Sequence, residues 1–181
     1  MANLQICLDE IQIYVGTYKK YNEGSLFGKW MKISDYSDYE DLSDAMRELH
    51  KDEDDAELMF QDFEAPELFE RMGLISESYL STDIYEIIEK IENCSYDIEI
   101  ISAYVDCFGY YCKGIDELIE KVEESYQGEY QSDEEFAEQL LTETCCIPEN
   151  LPSYLYIDWE RTARDIMFDY STSNNYYFRC S

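Results

Sequence analysis

Basic residues are scarce in this sequence. Its 181 residues include 13 Lys and Arg against 42 Asp and Glu, which gives a formal net charge of −29. Nucleic acids and anionic membranes are both bound through clusters of basic side chains, and the few bases of this chain do not cluster along the sequence. We therefore expect neither nucleic acid nor membrane as a partner.

Long apolar runs, a signal peptide and regular cysteine spacing are also missing. No apolar run reaches the roughly 18 residues that suggest a membrane span, and the N-terminus lacks a basic start and a small-residue cleavage site. The seven cysteines follow neither a disulfide framework nor the Cys-x2-Cys spacing of zinc sites. The acidic run 52–55 lacks the alternation and central glycine of a Ca²⁺ loop. These patterns predict reduced thiols, a cytoplasmic location, no metal and no cofactor.

Histidine is nearly absent, which removes most schemes of acid–base and nucleophilic catalysis. The single histidine, His50, stands beside Lys51 and before four acids, and we interpret it as a surface residue near a helix C-terminus. A glycosidase needs only two carboxylates, so a chain with 42 acids neither supports nor excludes a carboxylate-based hydrolase. We expect no catalytic residues and no enzymatic activity, with that hydrolase as the alternative.

The acids are spread over the whole chain, and they predict a folded protein rather than an acidic tail. The net charge is −11 over residues 1–74, −10 over 75–125 and −8 over 126–181. The acids alternate with apolar residues at regular spacing, and 18 Tyr and 8 Phe provide large buriable side chains. We expect an α+β protein, an elongated chain of three small domains with these bounds: an N-terminal α+β domain, a central helical domain and a C-terminal α+β domain.

The first domain has the pattern of a ββαβ unit. Alternation of apolar and polar residues over 11–15 predicts a strand, and the segments 25–33 and 58–63 predict two more. A helix capped by Ser37 or Asp38 is predicted between the second and third strands.

The central domain has apolar stripes at helical spacing. Isoleucines from Ile84 to Ile91 predict a helix capped by Ser81 or Thr82, and two further helices follow, the first of which ends at Gly109.

The C-terminal domain mixes strands and helices. A short strand is predicted over 126–131, followed by a helix that opens with the capping-box pattern from Ser132 to Glu135. A loop over 145–152, a mostly helical segment over 153–168 and a terminal strand over 176–180 complete the prediction.

Many carboxylates recur every three or four residues along the predicted helices. Such neighbours lie about 5–6 Å apart, and duplex DNA carries one phosphate charge per about 1.7 Å of its axis. A protein that binds DNA through Lys and Arg would therefore accept rows of these acids as a decoy. The simpler interpretation is an acidic surface that serves solubility or adaptation to salt. The residues that we expect in the contact surface are Glu86, Glu89, Glu92, Asp97, Glu99, Asp116, Glu117, Glu120, Glu123, Glu124, Asp133, Glu134, Glu135 and Glu138.

Three segments carry a resemblance to a known family. The first contains Lys20-Tyr21-Asn22, Gly24, Leu26, Gly28 and Trp30 in the spacing KYN-x-G-x-L-x-G-x-W. The others are Phe60-Gln-Asp-Phe-Glu64 and Tyr156-Ile-Asp-Trp-Glu-Arg-Thr-Ala-Arg-Asp165. Together they span nearly the whole chain, and in this order they resemble the ArdA antirestriction proteins.

The resemblance implies a function and an assembly. ArdA proteins are elongated, acidic, three-domain homodimers from mobile elements that mimic DNA and inhibit type I restriction–modification enzymes in the bacterial host cell. The resemblance therefore implies that the partner is a type I restriction–modification enzyme, contacted at its methyltransferase core. An acidic decoy for another DNA-binding protein is the alternative.

Two further groups of residues are assigned roles. The matched residues that we interpret as turn and core elements are Tyr21, Asn22, Gly24, Gly28, Trp30, Asp158 and Trp159. The patch that we expect at the dimer interface comprises Tyr154, Tyr156, Tyr176, Tyr177 and Phe178. The alternative for this patch is that its aromatic side chains fill the core of their own domain.

Overall fold

A computed structural model describes residues 11–144, 146–147, 152 and 155–180. Helices and small antiparallel sheets confirm the predicted α+β class. The chain forms two compact units, an N-terminal unit of residues 1–95 and a C-terminal unit of residues 96–181. The predicted central segment is divided between them, so the three-domain arrangement remains a prediction.

The N-terminal unit is built on a three-stranded sheet with a helical layer. Its elements are β1 (Gln12–Thr17), α1 (Tyr18–Asn22), β2 (Lys29–Lys32), a 3-10 helix (Ile33–Asp35), α2 (Tyr39–Leu49), β3 (Leu58–Glu64), α3 (Glu67–Arg71), β4 (Ile75–Ser76), β5 (Tyr79–Leu80) and α4 (Ile84–Asn93). Strand β1 lies in the centre, between β2 and β3, and both pairings are antiparallel. The three predicted strands and the helix between the second and the third are present in this order, but the short helix α1 separates β1 from β2.

The core of this unit follows from the alternation along β1. Ile13 and Val15 point to one face and are fully buried, while Tyr14 points to the other face. Leu42 and Met46, four residues apart on α2, are buried as well. Asp38 caps α2 by accepting a hydrogen bond from the Asp41 amide at 2.9 Å, as predicted.

Two predicted boundaries in this unit are wrong. Strand β2 covers only Lys29–Lys32, because the preceding residues form a turn held by the bond from the Ser25 amide to the Lys20 carbonyl, 2.9 Å long. Helix α4 begins at Ile84 after Asp83, which forms no side-chain capping bond. Ser81 instead accepts a hydrogen bond from the Asp83 amide, which shapes the turn before the helix.

The C-terminal unit has a sheet between helices. Its elements are α5 (Ile98–Phe108), α6 (Ile115–Ser125), β6 (Tyr126–Glu129), α7 (Asp133–Glu143), α8 (Trp159–Ile166), a 3-10 helix (Met167–Asp169), β7 (Tyr170–Ser173) and β8 (Tyr176–Arg179). Strand β8 is central and pairs antiparallel with β6 and β7. Gly109 ends α5 at a φ of 75°, and Ser132 caps α7 by accepting from the Glu135 amide, so both predicted boundaries are confirmed.

The predicted helix over 153–168 is too long. Helix α8 covers Trp159–Ile166, and a 3-10 turn leads into β7, a strand that the sequence analysis missed. Asn174 and Asn175 adopt φ angles of 50° and 69°, which two-residue hairpin turns require. Residues 153, 154 and most of the predicted loop over 145–152 lie outside the described residues.

Within the described ranges, no helix combines the length and the apolar composition that crossing a bilayer requires.

Tyr85 ties α4 to the 3-10 helix that follows β2 and gives a pH-dependent contribution to stability. Its hydroxyl donates to the Ile33 carbonyl at 2.9 Å, and burial, followed by the charge of Asp38, raises its pKa to about 12. Because the folded pKa lies above the ordinary value of 10.0, this contribution is complete below about pH 10 and is lost as the pH rises towards 12.

We predict that Tyr85→Phe lowers the free energy of unfolding by about 1 kcal/mol near neutral pH, because it removes one hydrogen bond. The difference from the unmodified protein shrinks between about pH 10 and pH 12, because the phenylalanine ring does not titrate. Urea unfolding, monitored by circular dichroism, measures this difference in the free energy of unfolding. Tyr79→Phe, at an exposed tyrosine, is the control. A difference that stays constant to about pH 12 contradicts this prediction.

Candidate partner-binding surface

The acids predicted to contact a partner all reach solvent. Glu99, Glu117 and Glu134 are half-buried, and the other eleven are exposed. Glu86, Glu89 and Glu92 lie on α4 of the N-terminal unit, and the remaining eleven belong to the C-terminal unit. The acids of the helices face solvent because each helix buries its apolar stripe on the other side, as α4 buries Ile84 and Ile91.

Helix α6 carries the densest part of this surface. Asp116, Glu120, Glu123 and Glu124 are exposed, whereas Leu118 and its neighbours on the stripe are buried. Carboxylates three or four residues apart on such a face lie about 5–6 Å from one another. One helix of the C-terminal unit therefore presents several carboxylates to solvent.

Nearby lysines neutralise a few of these acids. Lys90 pairs with Glu86 at 2.7 Å, and Lys121 pairs with Glu117 at 3.2 Å. Glu117 also accepts from the Lys113 amide at 2.9 Å. That amide bond, together with Lys121, holds the pKa of Glu117 below its ordinary value, so its charge persists in mildly acidic solution.

Helix α7 presents its acids at its N-terminus. Asp133, Glu134 and Glu135 occupy its first turn, where the helix dipole favours negative charge. Asp133 accepts a hydrogen bond from the Tyr177 hydroxyl at 2.7 Å. Burial and this carboxylate raise the pKa of Tyr177, so the phenol stays a donor at physiological pH.

Tyr177 and Phe178 are buried within the C-terminal unit, at 3% and 0% exposure. Their rings pack against Phe136 and Tyr104, respectively. Both are core residues, so their assignment to the dimer interface is wrong. Tyr156 is 90% exposed and Tyr176 is half-buried, while Tyr154 lies outside the described residues.

The family-motif residues divide into turn elements and surface residues. Gly24 adopts a φ of 81°, which residues with a side chain rarely adopt, and a Cβ on Gly28 would lie 2.6 Å from the Tyr14 ring. Both positions therefore favour glycine for steric reasons. Tyr21 and Trp30 are 49% and 37% exposed, so the interpretation of these two as core residues is wrong. Asn22, the last residue of α1, is also exposed.

The C-terminal motif residues begin helix α8. Asp158 caps the helix by accepting from the Arg161 amide at 3.1 Å, and Trp159 is its half-buried first residue. They act as structural elements, in agreement with the sequence interpretation.

Trp30 and Tyr21 belong to a shallow surface pocket on the outer face of the N-terminal sheet. We call it the aromatic pocket, a cavity of about 370 Å³ lined by Tyr14, Tyr21, Leu26, Trp30, Gln61 and Asp62. Tyr14 and Trp30 face each other across β1 and β2, with ring centroids 5.5 Å apart. The alternation along β1 and β2 was the available signal for this pocket, because it places both rings opposite the buried face.

His50 is fully buried, so its assignment as a surface residue is wrong. It continues the buried stripe of Leu42 and Met46 at the next i+4 position, a signal that its charged neighbours obscured. Its Nε2 lies 3.3 Å from the Val15 carbonyl oxygen, and its Nδ1 lies 3.1 Å from the Lys20 ammonium. Because an ammonium can only donate, Nδ1 accepts and Nε2 carries the proton.

Lys20 occupies the centre of a cluster with three potential metal ligands. The ligand atoms of His50, Asp52 and Glu53 lie within 4.8 Å of one another. The Lys20 ammonium lies 2.8 Å from Asp52 and 3.3 Å from Glu53, and 4.6 Å from the centre of the Phe27 ring. A divalent cation would have to displace this ammonium, so the cluster acts as a structural joint between α1 and the turn after α2.

Two of the described carboxylates have a pKa shift that bears on the hydrolase alternative. The resolved pKa shifts of Asp52 and Glu117 are both downward, caused first by a hydrogen bond from Lys20 and from the Lys113 amide, respectively. A general acid needs a carboxyl group whose pKa is raised. Neither residue is suited to that role.

Comparison with protein families identifies this acidic α+β protein. The family model described as "Antirestriction protein (ArdA)" matches residues 13–179. The chain therefore belongs to the ArdA family, a non-enzymatic family of antirestriction proteins that interact with restriction–modification enzymes. No curated protein matches the chain.

We predict that Lys20→Met lowers the free energy of unfolding by about 3 kcal/mol, because it leaves the nearly buried Glu53 carboxylate, 5% exposed, without its counter-ion. Thermal or urea unfolding measures the loss. Lys51→Met is the matched control, because Lys51 pairs with Glu48 at an exposed site and surface pairs contribute less than about 1 kcal/mol. Equal losses in the two variants would show that the cluster has no special structural role.

Proposed function

We propose that this protein inhibits type I restriction–modification enzymes by occupying their DNA-binding groove as a mimic of DNA. The observation that carries the proposal is the exposure of the predicted acidic residues in a chain with a net charge of −29. Membership of the ArdA family supplies the class of partner. No covalent bond is made or broken in this mechanism, and the protein acts in the cytoplasm of the bacterial host, where the enzyme meets DNA.

The physical basis is a charge pattern that basic side chains recognise. A groove that binds DNA presents Lys and Arg to phosphates spaced along the duplex. The carboxylates of α6 and of the first turn of α7 offer rows of negative charge to such a groove, with neighbours three or four residues apart about 5–6 Å from one another. Their attraction is long-ranged and accelerates association, and it weakens as salt screens the charges.

The decisive test replaces three exposed carboxylates of α6 by amides, in the variant Glu120→Gln/Glu123→Gln/Glu124→Gln. We expect roughly tenfold weaker binding to a purified type I enzyme at low salt, because three interface charges are lost. The slope of log affinity against log salt concentration becomes shallower, because fewer charges are screened. Calorimetry or fluorescence anisotropy at several salt concentrations measures both.

The matched control removes the same charge from α2, in the variant Glu40→Gln/Asp44→Asn/Glu48→Gln, where all three acids are exposed. Equal weakening in both variants would show that only net charge matters. Affinity that does not change with salt would contradict electrostatic mimicry. A restriction assay on unmodified DNA, with a type II enzyme as control, shows whether binding inhibits cleavage by the type I enzyme.

We also propose that the protein is a homodimer joined through its C-terminal unit. Tyr156 and Phe168 supply exposed apolar surface there, at 90% and 83% exposure, and such side chains are typical of protein interfaces. We expect Tyr156→Ser/Phe168→Ser to convert the dimer to monomer in sedimentation velocity, with Tyr111→Ser, at an exposed tyrosine of the same unit, as control. A monomer at all concentrations of the unmodified protein contradicts the proposal.

A further inference from the structure

The aromatic pocket combines exposed rings with one carboxylate. Tyr14 and Trp30 meet edge to face within it, and Tyr21, Leu26, Gln61 and Asp62 complete the lining. The Tyr14 hydroxyl donates to the Leu26 carbonyl at 2.9 Å, which fixes the loop against the sheet. Gly28 allows this arrangement, because a side chain there would collide with the Tyr14 ring and the Val15 carbonyl.

Folding of the N-terminal unit does not account for this surface. The opposite face of the same strands is buried through Ile13, Val15 and Met31, whereas Leu26 is 71% and Trp30 is 37% exposed. Clustered exposed apolar side chains mark interaction sites, and Trp and Tyr are enriched among the residues that dominate binding energy.

The charge of the lining selects the occupant. Asp62 is the only charged residue among the six that line the pocket. One of its oxygens, Oδ1, accepts from the Phe63 amide, which leaves the other oxygen for an external donor. Lys32 and Glu64 occupy the next row along the sheet on the same face, where both pair with Gln12. Their opposite charges cancel, so this row adds no net charge beside the pocket.

A flat cation satisfies this combination. The faces of aromatic rings attract cations, and the Trp ring does so most strongly. The guanidinium group of arginine stacks on such rings and at the same time donates hydrogen bonds to a carboxylate. A protein that binds DNA presents arginine side chains to its ligand. We propose that the aromatic pocket binds an arginine side chain of the partner protein, as an anchor in addition to the acidic surface.

The identity of the partner rests on the proposed function, but the chemistry of the pocket is tested without it. The test uses the indole N–H signals of Trp30 and Trp159 in a ¹⁵N-correlated NMR spectrum of the full chain; the variant Trp159→Phe assigns them. N-acetyl-arginine methylamide is titrated at constant ionic strength, and the neutral N-acetyl-citrulline methylamide, which has nearly the same shape, is the matched probe.

We expect the arginine probe to shift the Trp30 signal in a saturable way, with a dissociation constant on the order of 10 mM, and to leave the Trp159 signal in place. The citrulline probe should give no saturable shift, and Asp62→Asn should weaken arginine binding several-fold. Equal shifts with both probes, equal shifts of both indoles, or no shift of Trp30 would each overturn the proposal.

A second measurement places the pocket in the complex. Trp30→Leu should weaken binding to the type I enzyme about tenfold, as loss of an anchoring residue does, and the loss should persist at high salt because stacking is screened little. Tyr79→Ala, at an exposed tyrosine of the same unit, is the control. If the enzyme does not bind the unmodified protein, the proposed function fails while the arginine titration still decides the chemistry of the pocket. If Trp30→Leu binds as well as Tyr79→Ala, the anchor is excluded.

Discussion

Repulsion among 42 carboxylates is the constraint around which this structure is organised. It opposes every compact arrangement of the chain, and it has to be overcome by burial of apolar surface in units of modest size. The tyrosines and phenylalanines make this possible, because each buries a large area with little loss of rotamer freedom. In the C-terminal unit, Phe136, Tyr177 and Phe178 contact one another or neighbouring rings on both faces of the sheet.

Among the described residues, one ion-paired cluster is largely shielded from solvent. Lys20 lies between Asp52 and Glu53 and against the Phe27 ring, so a single ammonium joins α1 to the acidic turn after α2. Burial lowers the pKa of Lys20, but its hydrogen bonds to the two carboxylates outweigh burial and raise it above the ordinary value. The motif lysine is thus a structural residue, although lysines of an acidic protein are usually expected in solvent.

Periodicity predicted most of the fold, because an apolar stripe has to be buried wherever it occurs. Helices α2, α4, α5 and α6 and strands β1 and β3 follow directly from it. It failed for β7, whose Tyr-Ser-Thr-Ser sequence has no apolar alternation and which forms by pairing with β8. His50 and Trp30 were misassigned because their residue type was weighed above the periodicity: His50 continues the i+4 stripe of α2, and Trp30 lies opposite Tyr14 on the outer face of the sheet. The helical stripes predicted that the acids lie on the solvent side of their helices, and their role in partner binding stays a prediction; the aromatic pocket required the register of β1 and β2.

The ion pairs of α2, α3, α4, α6 and α8 join residues three or four positions apart. In each of these pairs a base offsets an acid about one turn away on the same helix, so the negative field around the protein depends more on the total surplus of acids than on the place of any single one. A glutamate lost in one turn and gained in the next would change the field very little. Under the proposed mimicry, individual acids can move along the sequence while the total negative charge persists, and similarity between relatives is expected in glycines, caps and core positions rather than at particular acids.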